Sequence, residues 1–345
     1  MAKKKEESSS FNATVEALNK KYGVGSIMTL NAKHPDMGYS VIPTGSLGFD
    51  YQVLGVGGFV KGKLYELMGW EGTGKSTICG HLTAECQKIG GKVVYIDGEH
   101  AVDKNYFKAL GVDTDAMFIS QPSNGEEGFQ IASDMIETGE VDLVIIDSDS
   151  SLLPKKVIDG DIGDSAIGRK AILNSNAYPK LKNKLVEKDV CVVVISQYRE
   201  KIGVMFGNPT TTQGGHALKF YSDCRIEISK SLSNAPKDDD GLHIANITKI
   251  KTVKNKTAPP FKRCQFNIYY GLGIDRVEEL MDAANDLKIG RKYGATYTID
   301  YGTPKANKYD LEDFKLKLKS DDTFYNALRD RVVSLLKGIV EDEIS

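Results

Sequence analysis

Gly69-Trp70-Glu71-Gly72-Thr73-Gly74-Lys75-Ser76 is the stretch that most restricts what this chain can fold into. It fits the pattern GxxxxGK[ST], and it lies between an apolar run, Leu64–Met68, and a helix-like run, Ser76–Ile89. The setting gives the motif its meaning, because a strand, a glycine loop and a helix N-terminus together make a phosphate cradle. The glycines let backbone N–H groups turn inward around phosphate oxygens. Lys75 is placed to hold the β- and γ-phosphates of a nucleotide, and the Ser76 hydroxyl to ligate Mg²⁺.

Three further runs, Val93–Ile96, Val141–Ile146 and Val190–Ile195, are short, continuously apolar and rich in β-branched residues. Such runs suit strands buried on both faces of a parallel sheet. Helix-patterned stretches, Gly128–Thr138 and Ala171–Glu187, lie between them. The alternation predicts a doubly wound α/β core. Strand-like segments follow at Arg225–Ile228, Ile244–Val253 and Gln265–Tyr269, the first two parted by a turn-rich stretch, Asn234–Gly241. From about Asp275 the composition shifts to Lys-rich helices around one short strand, Thr296–Tyr301. At the other end, Phe11, Val15, Leu18 and Tyr22 give a helix one apolar face, and Gly23-Val24-Gly25 ends it. That face suits either its own core or a neighbouring subunit. Residues 1–10 read as a disordered polar tail.

Each core strand delivers a polar group to its C-terminal end. Val141–Ile146 leads into Asp147, suited to hold a Mg²⁺-bound water beside the cradle. Val93–Ile96 leads into Asp97-Gly98-Glu99-His100, where Glu99 is the candidate to activate water. An exposed loop acid is the plain alternative there. Val190–Ile195 leads into Ser196-Gln197, an amide able to sense a γ-phosphate or simply to be a satisfied loop group. All these ends fall on one sheet edge, where α/β ligands bind. Two long polar segments leave that edge, Asp159–Gly168 and Tyr198–Gln213. Loops of this length are usually functional. The second mixes Arg199, Lys201, Phe206 and glycines, a composition suited to phosphates and unstacked bases.

The bulk charge sets a limit on that idea. The net charge is -2 and the pI about 6.3, so any nucleic-acid contact must be local. The five cysteines form no CxxC pair, which argues against a zinc site or a disulfide framework. The basic opening Met1–Lys5 runs into Glu6-Glu7, unlike a signal peptide, and no apolar run is long enough to span a bilayer. A cytoplasmic location with no membrane partner is expected.

From about Phe11 to Gly338 the chain resembles the bacterial-type RecA recombinases. The resemblance rests on Tyr22–Met28, Thr44–Leu47, the phosphate loop, Asp97–Asp103, Gly160–Ser165, Lys201–Pro209, Gly214–Tyr221 and Lys254-Asn255-Lys256. The run Lys201–Pro209 is the most specific of these. The resemblance implies an α/β RecA-like P-loop ATPase core with a mostly parallel central sheet at 41–274. It adds an N-terminal oligomerisation helix and docking segment at 11–40, a small α+β C-terminal domain at 275–338 and a short acidic tail at 339–345. It implies ATP and Mg²⁺ as cofactors, and single-stranded DNA, homologous double-stranded DNA and further copies of the chain in a helical filament as partners. The implied activity is DNA-dependent ATP hydrolysis coupled to strand exchange.

The resemblance also implies roles. Glu99 is the catalytic carboxylate, assisted by Lys75 and Gln197. Thr77, Asp103, Tyr106 and Tyr270 join the phosphate loop in binding nucleotide, with Asp103 at the adenine and Tyr106 stacked on it. The DNA-binding loops span about 159–168 and 198–212. Gly160, Arg169 and Phe206 belong to the DNA surface, Arg199, Gly214 and Gly215 hold its backbone, and Ile167 and Ile202 wedge between base triplets. Lys254 and Lys256 reach the γ-phosphate on a neighbouring subunit, with Lys219 and Phe220 at that interface. Lys288, Arg291, Lys292 and Lys305 gather duplex DNA.

The chain departs from the family pattern. Trp70 stands where Pro is usual, and Gly72 where Ser is usual. Asp149 adds a carboxylate near Asp147, which could retain Mg²⁺ or repel phosphate. Glu200 and Ile172 remove positive charge from the expected DNA side, which predicts weaker or more salt-sensitive binding. Two rivals keep the phosphate loop: a hexameric helicase-type motor, and a filament protein that uses ATP only as a switch.

Overall fold

The structure, a computed structural model, describes residues 2–29, 39–161, 168–200, 210–300 and 306–344. The chain divides into two compact units, Met1–Ser40 and Val41–Ser345. In the first, α1 runs from Ala2 to Tyr22, so the segment expected as a disordered tail continues the helix. The helix is closed by Asn19, whose side chain accepts from Ile27 N and donates to Ile27 O, both at 2.9 Å. Phe11 and Tyr22 on the apolar face are 68% and 65% exposed.

The second unit begins with a small hairpin, β1 (Val41–Ile42) against β2 (Phe59–Val60), around a helical turn at Gly48–Val53. The alternating core then reads β3 (Leu64–Gly69), α2 (Lys75–Lys88), β4 (Val93–Asp97), α3 (Lys104–Ala109), β5 (Phe118–Ser120), α4 (Gly125–Glu137) and β6 (Leu143–Asp147). It continues with α5 (Lys155–Ile158), α6 (Arg169–Glu187), β7 (Cys191–Glu200), β8 (Thr210–Thr212), α7 (Ala217–Tyr221), β9 (Cys224–Ser231), β10 (Ala245–Asn255), β11 (Arg263–Tyr269) and β12 (Gly273–Ile274). The sheet order is β12-β11-β10-β9-β3-β7-β6-β4-β5. From β9 to β5 all pairings are parallel, and β10 to β12 add an antiparallel flank.

The unbroken apolar runs are explained by burial on both faces. Alternate residues Tyr65, Leu67, Tyr95, Ile145 and Val193 pack with Ile78 and Leu82 of α2. Their neighbours Leu64, Val94, Ile146, Val192 and Val194 pack with Phe129 and Ile136 of α4 and Tyr178 and Leu185 of α6. Each such side chain contributes roughly 1.5–3 kcal/mol on leaving water. Among the described residues no helix is long and apolar enough to cross a membrane.

The C-terminal lobe contains α8 (Arg276–Asp286), β13 (Gly290–Tyr293), β14 (Thr296–Ile299), β15 (Asn307–Asp310), α9 (Leu311–Ser320) and α10 (Asp322–Ile344). A three-stranded antiparallel sheet thus replaces the single strand expected. The extra strands are polar and largely exposed, so they carry no apolar alternation. The lobe has its own core around Leu280, Tyr297, Phe314 and Val332, but Leu47 of the ATPase core belongs to the same cluster.

The junction is pinned by Glu279 of α8. Its Oε1 accepts from Ser46 Oγ at 2.5 Å and Gly48 N at 3.0 Å, while Oε2 is buried without a partner. Burial pushes the carboxyl from 4.5 up to about 7, against those hydrogen bonds and the nearby Arg276. Between those values the folded protein holds a proton that the unfolded chain has released, so rising pH removes stability. Asp50, also buried and pushed up to about 8, acts in the same direction. Urea unfolding should therefore give lower stability at pH 8 than at pH 5.5, and Glu279→Gln should flatten the difference; an unchanged slope in the variant refutes the assignment.

Candidate functional site

The phosphate loop is held open by backbone geometry. Gly72 and Gly74 have φ of +66° and +91°, a region that favours glycine. A Cβ on Gly69 would meet Ile228 O at 2.2 Å, and one on Gly74 would meet Ile268 Cδ1 at 2.6 Å. β9 and β11 therefore back the loop closely. A cavity of about 200 Å³ opens in front, lined by Glu71 to Thr77 together with Glu99, Asp147, Ile195 and Gln197. Every strand-end group expected from the sequence is in it, aligned by parallel pairing that puts Gln197 beside Gly69 and Asp147 beside Asp97.

Lys75 is buried and donates to Trp70 O at 2.7 Å and Gly69 O at 3.2 Å. Burial lowers its pKa, while Asp147 and Glu99 work against that shift. Asp147 Oδ2 accepts from Ser76 Oγ and from Tyr95 OH, both at 2.7 Å. Burial raises the Asp147 carboxyl above its ordinary range despite those donors. Glu99 Oε1 accepts from Ser148 Oγ at 2.6 Å and from Gln197 Nε2 at 2.7 Å. The acid that can polarise water and the amide that can sense phosphate are thus directly bonded. Tyr95 and Ser148 are contributions the sequence reading missed; Tyr95 lies inside an apolar run, and nothing local marks its hydroxyl.

The donor set fits Mg²⁺ brought in with a nucleotide. Among the described residues no group of three or more His, Cys, Asp or Glu could hold a metal alone. Mg²⁺ is commonly held by one or two protein oxygens plus substrate phosphates. Ser76 and Asp147 supply such a pair.

Tyr106 reaches the cradle helix, its hydroxyl 2.7 Å from Thr77 Oγ1. Asp103 caps α3, its carboxylate accepting from Tyr106 N at 2.7 Å. Tyr270 is exposed two residues beyond Ile268, whose side chain backs Gly74.

Asp149 does not face the nucleotide cavity. Its backbone N donates to Ile195 O at 2.8 Å, and its carboxylate points to the other side of the sheet. There it accepts from Tyr178 OH at 2.5 Å and Asn174 Nδ2 at 3.1 Å, and pairs with Lys170 at 3.4 Å. Asn174 Nδ2 also donates to Gly214 O at 3.2 Å. The expected effect of Asp149 on Mg²⁺ or phosphate is therefore replaced by a buried cluster that ties β6, α6 and Gly214 together.

Of the residues expected to contact DNA, Ile167, Ile202 and Phe206 lie outside the described residues, as does Lys305. The second loop has a structured stem, since β7 extends to Glu200 and pairs with β8: Tyr198 with Thr212, Arg199 with Thr211, and Glu200 with Thr210. Arg199 and Glu200 are exposed there. Gly214 and Gly215 both have positive φ. Gly160 precedes the undescribed part of the first loop, and Arg169 follows it, its guanidinium donating to Lys156 O at 2.6 Å.

Lys254 and Lys256 lie at the opposite end of the sheet from the phosphate loop. β10 runs antiparallel to β9, and Lys254 pairs with Arg225 at the start of β9. Cys224, next to it, is level with Tyr65 near the start of β3, whereas the phosphate loop follows the end of β3. Lys254 donates to Lys219 O at 3.2 Å and Phe220 O at 3.0 Å, and Lys256 to Asp223 at 3.3 Å. Phe220 is 72% exposed. The four residues expected at an interface form one patch, remote from their own chain's cradle.

A glycine cradle with its lysine, set at the C-terminal edge of a mostly parallel sheet beside a carboxylate, defines a P-loop nucleoside triphosphatase. The family model described as the RecA N-terminal domain matches residues 9–275. The chain is 43% identical over 327 residues to "Protein RecA" of Chlorobaculum tepidum, covering 95% of this chain and 92% of that one. It is 44% identical over 311 residues to "Protein RecA" of Lactobacillus delbrueckii subsp. bulgaricus, covering 89% and 92%. The chain belongs to the RecA family.

The buried cluster gives a test that separates it from the nucleotide site. Asp149→Ala takes the counter-ion from the largely buried Lys170, which keeps its hydrogen bond to Leu152 O, and should cost about 3 kcal/mol in denaturant unfolding. Adding Lys170→Leu should recover most of that loss. ATP affinity should hold in both variants, and a selective loss of ATP binding would return Asp149 to the cavity.

Proposed function

We propose that this protein is an ATP-dependent DNA recombinase that polymerises on single-stranded DNA and carries out homologous pairing and strand exchange, hydrolysing ATP as it does so. Membership in the RecA family supports the activity. What supports the mechanism is that Lys254 and Lys256, expected at a γ-phosphate, lie at the opposite end of the sheet from their own chain's cradle. A chain so built completes its site only head to tail with another copy. Repetition of such a heterologous contact gives a helical filament.

In that filament the phosphate loop and Lys75 bind the β- and γ-phosphates, and Thr77, Asp103, Tyr106 and Tyr270 surround the nucleoside. Ser76 and Asp147 hold Mg²⁺, which when bound offsets charge on the phosphates. Glu99 orients the attacking water and takes up its proton. Lys254 and Lys256 of a neighbouring subunit, beside its Lys219 and Phe220, stabilise charge on the γ-phosphoryl group. Loss of that group changes the Gln197 amide, and β7 carries the change into the second DNA loop. Gly160, Ile167, Arg169, Arg199, Ile202, Phe206, Gly214 and Gly215 form the DNA surface. The exposed face of α1, with Phe11 and Tyr22, docks on the next subunit. A closed-ring helicase would not require the paired lysines.

The decisive test is ATP hydrolysis with and without single-stranded DNA, alongside negative-stain images. Hydrolysis should require DNA, and the particles should be helical filaments; DNA-independent hydrolysis by closed rings overturns the proposal. Glu99→Gln should lower kcat about 10²- to 10⁴-fold with nucleotide binding retained. Mixing Lys75→Ala with Lys254→Ala/Lys256→Ala, each inactive alone, should restore partial hydrolysis, because some interfaces then pair an intact cradle with intact lysines. No recovery on mixing places the lysines in their own chain's site. Glu200→Gln should raise single-stranded DNA affinity several-fold at 0.2 M salt, since phosphate contacts dominate such binding; unchanged affinity removes Glu200 from the DNA surface.

A further inference from the structure

One contact joins the phosphate loop to the second DNA loop without passing through Gln197. The Trp70 ring meets the Tyr198 ring edge-on, with centroids 5.9 Å apart and planes at 71°. Tyr198 is the first paired residue of the loop stem, opposite Thr212. Its hydroxyl donates to Glu227 Oε1 on β9 at 3.3 Å, so the phenol is held at both ends. Trp70 is 44% exposed, and it is the chain's single Trp.

The backbone of Trp70 is engaged by the residue that phosphates need. Trp70 O accepts from Lys75 Nζ at 2.7 Å and from Thr73 Oγ1 at 2.9 Å. The Lys75 ammonium is also the group that holds the β- and γ-phosphates. A nucleotide that draws Lys75 onto its phosphates takes it from the Trp70 carbonyl, and the indole moves with its own peptide.

We infer that Trp70 and Tyr198 are positioning residues that form a second linkage between nucleotide and DNA, in which occupancy of the phosphate loop sets the stem of the second DNA loop. The inference rests on the recombinase reading above. The two linkages sense different things. Gln197 is bonded to Glu99, at the place of the γ-phosphate, and answers to a triphosphate. Trp70 answers to any nucleotide whose phosphates recruit Lys75, a diphosphate included. Edge-to-face ring pairs of this kind are worth about three- to tenfold in an equilibrium.

The test uses the full chain, a fluorescent oligo-dT probe, ADP and ATPγS. The nucleotide-free protein, the ADP form and the ATPγS form should differ in affinity for the probe, and Trp70 emission should change with ADP as well as ATPγS. Tyr198→Leu should shrink the ADP-induced affinity change about three- to tenfold, while the affinity for a fluorescent ADP analogue moves less than twofold. A merely structural role for Tyr198 would move both. Tyr198→Phe, which keeps the ring, should retain the coupling. Trp70→Ala combined with Tyr198→Leu should lose no more than the larger single loss. Additive losses, an undiminished ADP effect in Tyr198→Leu, or Trp70 emission that ignores ADP would each overturn the linkage. If the parental protein fails to bind the probe in every nucleotide state, the recombinase reading itself falls; if it binds with ATPγS and the Tyr198 variants behave as the parent, only the linkage does.

Discussion

Everything at the site depends on parallel strand register in the central sheet. Backbone hydrogen bonds place Gly69 beside Gln197 and Asp97 beside Asp147, the second pair two residues short of the first, so all four reach the same sheet edge before any side chain is considered. The same register is enforced from both faces. Residues alternate between the α2 side and the α4–α6 side, and both sides are apolar and closely packed. A slip of one residue would send every core side chain to the opposite face and move each strand-end group by one strand step. The packing that stabilises the fold is thus also what sets the distances at which the chemistry works.

The electrostatics follow from that placement. An edge that brings buried Asp97 and Asp147 and exposed Glu99 near Lys75 carries more carboxyl groups than ammonium groups. Burial raises the Asp147 carboxyl and lowers the Lys75 ammonium, and both shifts disfavour the charged forms. Their mutual attraction opposes the shift on Lys75, yet Lys75 bonds carbonyls and not the carboxylates. The arrangement is suited to a ligand that brings both signs at once: phosphates for Lys75 and a divalent cation for Asp147 and Ser76. Hydrogen bonds from Tyr95 and Ser76 keep Asp147 oriented meanwhile, so little rearrangement is needed when such a ligand arrives.

The core strands and the cradle were legible in the sequence because each depends on local pattern: an unbroken apolar run needs two covered faces, and GxxxxGK[ST] needs a strand before it and a helix after. Asp149 was misplaced because its direction is decided by Tyr178, Asn174 and Lys170, all supplied by a helix some twenty-five residues on. Adjacency to Asp147 suggested a shared site, and in a continuing strand two residues so spaced would share a face, but β6 ends at Asp147 and the turn that follows aims Asp149 elsewhere. The strands at 290–293 and 307–310 escaped because short, exposed, polar strands have no apolar period to detect. The stem within the second long polar segment escaped for a related reason: Tyr198–Glu200 and Thr210–Thr212 pair with each other across the intervening residues, and neither half announces itself alone.

The lysine patch shows how polymerisation and nucleotide can be linked on the recombinase reading. Burial acts to raise the Asp223 carboxyl, but hydrogen bonds from Lys182 and Leu64 N and the charge of Lys256 outweigh it, so Asp223 sits below its ordinary range and stays anionic. Lys256 is therefore held by a fixed anion within its own chain, and Lys254 by the carbonyls of Lys219 and Phe220. To serve a neighbour's γ-phosphate each must exchange those partners. Asp223 does not lose its compensation when Lys256 leaves, because Lys182 remains paired with it. The exchange is then decided by the charge on offer at the interface. A triphosphate would present more negative charge than a diphosphate at the point the lysines would reach, so on that reading the contact between subunits would strengthen with ATP and weaken after hydrolysis. On that reading Asp223 would set the threshold for Lys256, and the carbonyls of Lys219 and Phe220 that for Lys254.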